Sequence, residues 1–110
     1  MAGDCGPPRW GRAVSKCYFV YILASKRNGA LHIGVTNNLI RRVWEHREGL
    51  VDGFTKRYAV KVLVHYEVFE NVRAAIHRET RLKKWKREWK KNLIQKKNLE
   101  WEDLYDTLSA

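Results

Sequence analysis

The chain has 110 residues and a mass of 13.0 kDa, which is enough for one small domain and not for two separate cores. With 45% hydrophobic and 31% charged residues it is neither a disordered nor a fibrous chain, and its longest apolar runs are too short to span a bilayer. Lys and Arg number 22 against 12 Asp and Glu, a formal net charge of +10.

Met1 to Lys16 holds Pro7, Pro8 and three glycines, without the apolar stretch of a secretory leader. It reads as a flexible tail, leaving 17–108 as the expected domain. Two cysteines, Cys5 and Cys17, are too few for a disulfide framework or a cysteine zinc site, so the expected location is the cytoplasm. Cys17–Ala24 is β-branched and aromatic, the composition of a buried strand. Asn28-Gly29 is a hairpin turn signal, and Leu31–Thr36 is the returning strand. Gly34 within it marks a bulge or a close approach of another group.

Asn37 is a candidate cap for a helix from Asn38 to about Glu48, ended by Gly49 and carrying Leu39, Ile40, Val43 and Trp44 as its buried stripe. Val51–Tyr58 reads as a loop turning at Asp52-Gly53, with Thr55, Lys56 and Arg57 clustered in it. Val60–Phe69 alternates as a third strand. Asn71 caps a helix over Val72–Lys84, an amphipathic stretch follows from about Arg87 to Lys96, and Trp101–Leu108 is a candidate terminal helix. A three-stranded sheet covered by helices, in the order β-β-α-β-α-α, buries these faces.

The charge is concentrated. From Arg78 to Lys97 stand ten basic residues and two acidic ones, Glu79 and Glu88, a net +8. A one-sign cluster of this size attracts polyanions, nucleic acid first among them; a solvated lysine face is the plainer alternative.

Four kinds of side chain stand out. Arg42 and His46, four apart on one helix, form a fork of donors beside a titratable imidazole, suited to a phosphate or simply to a wet surface. Glu79 falls inside the stripe of Val72, Ala75, Ile76 and Leu82, where a carboxylate is costly unless it is paired with a cation or holds a metal. A hard divalent ion on one carboxylate and several waters is one resolution; a salt bridge to Arg42 or a lysine is the other. Tyr21 and His32 lie on the paired strands, and their faces depend on register. Trp85 and Trp89 are candidate core anchors, with base stacking as the alternative. No phosphate loop, no Gly-x-Gly-x-x-Gly turn and no zinc-ligand spacing of histidines occurs.

Taken in order, Val20-Tyr21-Ile22, His32-Ile33-Gly34, Asn38 to Arg42, Glu45-His46, Gly53 to Tyr58, Arg78-Glu79 and Leu82 to Trp85 resemble the GIY-YIG nuclease domain. Arg42 lies ten residues after His32 and His46 fourteen after it, as in that pattern. The resemblance runs from Tyr18 to Tyr105 and is to the small stand-alone bacterial members. It implies an α+β fold, a small three-stranded antiparallel sheet flanked by helices, and metal-assisted hydrolysis of a phosphodiester.

Carried over by position, it implies that Tyr21 activates or orients the attacking water, that Arg42 stabilises charge on the phosphate, and that Glu79 holds one Mg²⁺ or Mn²⁺. His46 matches a frequent histidine near the site. Lys56, Arg57, Lys83, Lys84 and Lys86 are the implied contacts to the nucleic-acid backbone, DNA before RNA, with structure rather than sequence as the cue. His32 stands where the family usually has tyrosine, and Phe19-Val20 precede Tyr21 without the usual glycine. The general base is therefore open between Tyr21 and His32. The expected function is endonuclease; the alternatives are a non-catalytic nucleic-acid-binding module of the same fold, or an accessory protein docking through its tryptophan-bearing helices.

Overall fold

A computed structural model describes residues 17–51 and 53–109. The expected tail over 1–16 and Asp52 of the expected turn lie outside these residues. The elements run β1 (Tyr18–Ala24), β2 (Leu31–Thr36), α1 (Leu39–Arg47), α2 (Phe54–Arg57), β3 (Val62–Phe69), α3 (Val72–Lys84), α4 (Arg87–Lys97) and α5 (Tyr105–Ser109). They form the expected α+β architecture, with the single turn of α2 added inside what reads as a loop.

The sheet has the order β2-β1-β3, antiparallel throughout, with the first strand in the middle and therefore the most completely buried. Pairing of β1 with β2 is continuous, so Gly34 is not a bulge. The irregularity falls instead between Ile22 and Leu23 against β3, where His65 pairs with Ile22 and Leu63 with Leu23, leaving Val64 between them.

Alternation then divides β1 between two cores. Val20, Ile22 and Ala24 pack with Ile33, Val64, Ala75, Leu82, Ile94 and Trp101, beneath α3 and α4. Phe19, Tyr21 and Leu23 pack with Leu39, Val43, Val60 and Leu63, beneath α1 and α5.

Local chemistry moves several boundaries. Asn38, not Asn37, caps α1: its side chain accepts from Arg41 N–H at 3.1 Å, while Thr36 Oγ1 accepts from Asn38 N–H at 3.0 Å. Val60 is buried but its N–H is spent on Thr55 O at 2.9 Å, closing α2, so β3 starts at Val62. Asn71 caps α3 as expected, accepting from Arg73 and Ala74 N–H.

The buried stripe of α1 is Leu39, Val43 and His46, whereas Trp44 is exposed. On α3 it is Ala75 and Leu82, with Val72 and Ile76 exposed. Trp85 packs against the core, but Trp89, standing edge-on to it at 6.0 Å, is half exposed and is no core anchor. A polar network pins α3 to the edge strand. Arg78 donates to both Glu67 oxygens at 2.8 and 2.9 Å, and Glu67 also binds buried His65 at 3.0 Å. No helix among the described residues is long and apolar enough to cross a membrane.

Candidate active site

The register settles which face Tyr21 and His32 use. Tyr21 stands opposite Gly34 and His32 opposite Leu23, so the phenol and the imidazole share the α1 side of the sheet, their ring centres 6.0 Å apart. Gly34 is what lets the phenol lie there. A Cβ at position 34 would come within 2.4 Å of Tyr21 Oη and 2.6 Å of Cζ. The glycine is a cradle for the tyrosine, a close approach of the kind its place in a strand suggests.

Helix α1 presses His46 onto the same spot. The sequence reading allows it a wet surface beside Arg42; it is in fact buried, at i+3 from Val43 and i+7 from Leu39. Its ring centre lies 5.2 Å from that of His32 and 6.1 Å from that of Tyr21. His46 Nε2 is 3.4 Å from Tyr21 Oη, and its Nδ1 is 3.1 Å from Thr55 Oγ1. With the phenol protonated, the consistent assignment is Tyr21 O–H donating to Nε2 and Nδ1–H donating to Thr55. Buried Thr55 is thus a site residue that the sequence reading passes over as part of a basic loop cluster. Only its place as the second residue of the short helix α2 reveals it.

Electrostatics follow from this crowding. Burial pushes the Tyr21 phenol above its ordinary 10.0, opposed by the Arg42 guanidinium as hydrogen-bond donor and as charge, and reinforced by Glu79 and Glu45. Burial, together with the neighbouring His46, Lys83 and Arg42, drives His32 down to about 4 against the pull of Glu79. His46 is lowered by burial and by Arg42, with Glu45 opposing. At neutral pH the centre therefore holds a protonated phenol beside two neutral imidazoles.

Arg42 is partly exposed and paired with Glu45 at 3.3 Å, on the same carboxylate that meets Arg41 at 3.3 Å. Glu79 is half-buried on α3, and its salt-bridge partner is Lys83, one turn on, at 3.0 Å. Glu79 and Lys83 belong to the helix on the opposite face of the sheet. Because β2 is an edge strand, Lys83 meets His32 around that edge: Leu31, His32, Ile33, Phe54, Lys83 and Lys90 line one groove of about 300 Å³.

The remaining predicted cations lie further out. Lys56 and Arg57 close α2, Arg57 over the Tyr58 ring at 5.6 Å. Lys84 and Lys86 are exposed on either side of the α3–α4 turn, Lys86 over Trp89 at 5.6 Å.

Among the described residues no three His, Cys, Asp or Glu side chains gather as a metal cage. A lone half-buried carboxylate that already accommodates a cation suits an ion that keeps most of its waters, Mg²⁺ or Mn²⁺, and does not suit zinc.

A three-stranded antiparallel sheet of order β2-β1-β3 flanked by helices, in this order of elements, is the architecture of a GIY-YIG domain. The family model described as the GIY-YIG catalytic domain matches residues 17–92, and the chain belongs to this family. It is 39% identical over 85 residues to a UPF0213 protein of Clostridium perfringens, covering 77% of this chain and 90% of that one. It is 35% identical over 78 residues to a UPF0213 protein of Haloquadratum walsbyi, covering 71% and 86%. The solution NMR structure of a UPF0213 protein from Bacillus halodurans superposes with a TM-score of 0.50 at 26% identity, covering 79% of this chain and 92% of that one. The family places the fold among nuclease domains.

Proposed function

We propose that this protein is a metal-dependent endonuclease that hydrolyses phosphodiester bonds of nucleic acid, DNA in preference to RNA, by structure rather than sequence. The observation that carries the reading is the convergence of the Tyr21, His32 and His46 rings, with centres 5.2 to 6.1 Å apart, beside the groove that His32 and Lys83 line.

Tyr21 is the poorer base of the two candidates. Its phenol is 1% exposed, its pKa is raised, and its proton is committed to His46. His32 is the proposed general base: it takes a proton from water as the water oxygen bonds to phosphorus, and the P–O ester bond breaks. The same imidazolium can return the proton to the leaving oxygen. Arg42 faces the charge that grows on the phosphoryl oxygens. Tyr21, its proton held by His46 and that imidazole held in turn by Thr55, orients the groups at the reacting centre. Glu79 would hold Mg²⁺ or Mn²⁺, which when bound supplies Lewis-acid polarisation of the phosphodiester. Lys56, Arg57, Lys83, Lys84 and Lys86 grip the backbone without reading bases.

The test incubates the protein with branched, single-stranded and duplex DNA and with RNA, in Mg²⁺, Mn²⁺ or EDTA. Glu79→Ala and Arg42→Ala run alongside, with their folds checked by circular dichroism. Divalent-dependent nicking that vanishes in both folded variants is the expected result. Salt-sensitive binding with equal background cleavage by all three proteins would assign a non-catalytic binding module instead, the reading that the His32 departure favours.

A further inference from the structure

Lys83 stands at the junction of two features. Its ammonium is 3.0 Å from Glu79 Oε2, where a cation neutralises the half-buried carboxylate. Yet the side chain is 54% exposed, and it lines the groove shared with His32 and Phe54. Lys90 lines the same groove one helix further on, its Nζ 3.4 Å from Lys83 O.

Lys83 occupies one oxygen of the Glu79 carboxylate. A hydrated divalent ion on the same carboxylate would stand a few ångströms from the ammonium, and the repulsion between like charges favours the departure of the lysine. The lysine stem is long and rotatable, and the groove offers it a second location in which a phosphate, not a carboxylate, would be its partner.

We propose that Lys83 is a placeholder cation. It holds Glu79 until a divalent ion takes that position, then turns into the groove and, with Lys90, grips the phosphate next to the one being cleaved. The groove is thereby a subsite for a flanking nucleotide, and the metal and the substrate become coupled through one side chain. The ion frees the lysine, and a phosphate in the groove draws the lysine off the carboxylate, favouring the ion in turn. This inference rests on the metal-dependent reading of Glu79.

The experiment has two readouts that need no turnover. Mn²⁺ binding to the full chain is measured by electron paramagnetic resonance for the native protein, Lys83→Met, Lys83→Arg, Lys90→Met and Glu79→Gln. Lys83→Met should bind Mn²⁺ about three- to fivefold more tightly, the scale of a partly exposed ion pair removed. Lys83→Arg and Lys90→Met should match the native protein, and Glu79→Gln should lose binding.

Affinity for a short fluorescent DNA duplex is then followed against salt, in EDTA and in Ca²⁺, with the duplex checked on a gel to be intact in both. Lys83→Met should lower the salt slope by about one phosphate contact in Ca²⁺ and by less in EDTA. Lys90→Met should lower it in both. Unchanged Mn²⁺ affinity in Lys83→Met overturns the exchange while leaving the metal reading intact, and so does an equal slope change in EDTA and Ca²⁺. Mn²⁺ binding retained in Glu79→Gln overturns the metal reading and the exchange together.

Discussion

Adding one methyl group at Gly34 separates the geometry of the site from its chemistry. The glycine's φ lies outside the left-handed region, so alanine meets no backbone penalty there. The conflict is with the phenol alone, since the new Cβ would lie 2.4 Å from Tyr21 Oη, 2.6 Å from Cζ and 3.0 Å from Cε1. Ordinary contact begins near 3.4 Å, so the ring must move by most of an ångström. The strands cannot separate to absorb this, because residues 21 and 34 are directly paired in the sheet. The ring must swing, which breaks its 3.4 Å contact with His46.

Overpacking of this kind costs about 1–3 kcal/mol. For a chain of this size that lowers the melting temperature by roughly 4–8 °C per kcal/mol. Displacing a catalytic group by about 1 Å costs on the order of a hundredfold in rate. Gly34→Ala should therefore melt several degrees lower by circular dichroism and nick DNA far more slowly, with Tyr21→Phe losing activity but little stability. A Gly34→Ala protein that melts and cleaves like the native chain would refute the cradle. One that melts lower but cleaves normally would refute the need for the phenol's position.

Four further outcomes follow from the titrating groups and their partners. His32 ionises at about 4 in the fold against an ordinary 6.5, so cleavage should rise with pH through about 4 and be flat with respect to this group from there to neutrality, in rates measured across pH. The unfolded chain binds that proton more readily. Its stabilising effect is full above 6.5 and is lost as pH falls toward about 4, so His32→Gln should flatten the decline in unfolding midpoint over that window. Burial raises the Glu67 carboxyl, but hydrogen bonds from His65 and Arg78 outweigh it and hold the group at about 2. Its contribution is present above its ordinary 4.5 and lost as pH falls toward about 2, and Glu67→Gln should cost about 1.5–3 kcal/mol in urea denaturation at neutral pH. Thr55→Val, nearly isosteric, should cost about 1 kcal/mol and shift the His46 imidazole resonances in NMR, because Nδ1 loses its partner.

The placement of several candidate side chains is legible in the sequence. Glu79 is conspicuous because a carboxylate interrupts an apolar stripe, and it is indeed half-buried, although two of the four residues that define that stripe, Val72 and Ile76, face solvent. The inference survives because Ala75 and Leu82, at four and three residues' distance, suffice to orient that side of α3. Arg42 and His46 are correctly paired by helical spacing, but spacing is blind to depth. Val43 and Leu39 turn His46 inward while Arg42 stays partly open. Two adjacent asparagines compete for one cap, and the choice of Asn38 hangs on a hydroxyl, Thr36, that no capping preference weighs.

Sequence alone determined what is local: the strands from their β-branched and aromatic runs, the helices from caps and periodicity, and the chemical types available at each motif position. These depend on neighbours within a turn or two of chain, so they can be read residue by residue. Tertiary structure alone decided the register that puts Tyr21 and His32 on one face, the cradle at Gly34, the Thr55 anchor and the meeting of Lys83 with His32 around the β2 edge. Each of these joins segments distant along the chain. Slipping one strand by a single residue would send every one of its side chains to the other face.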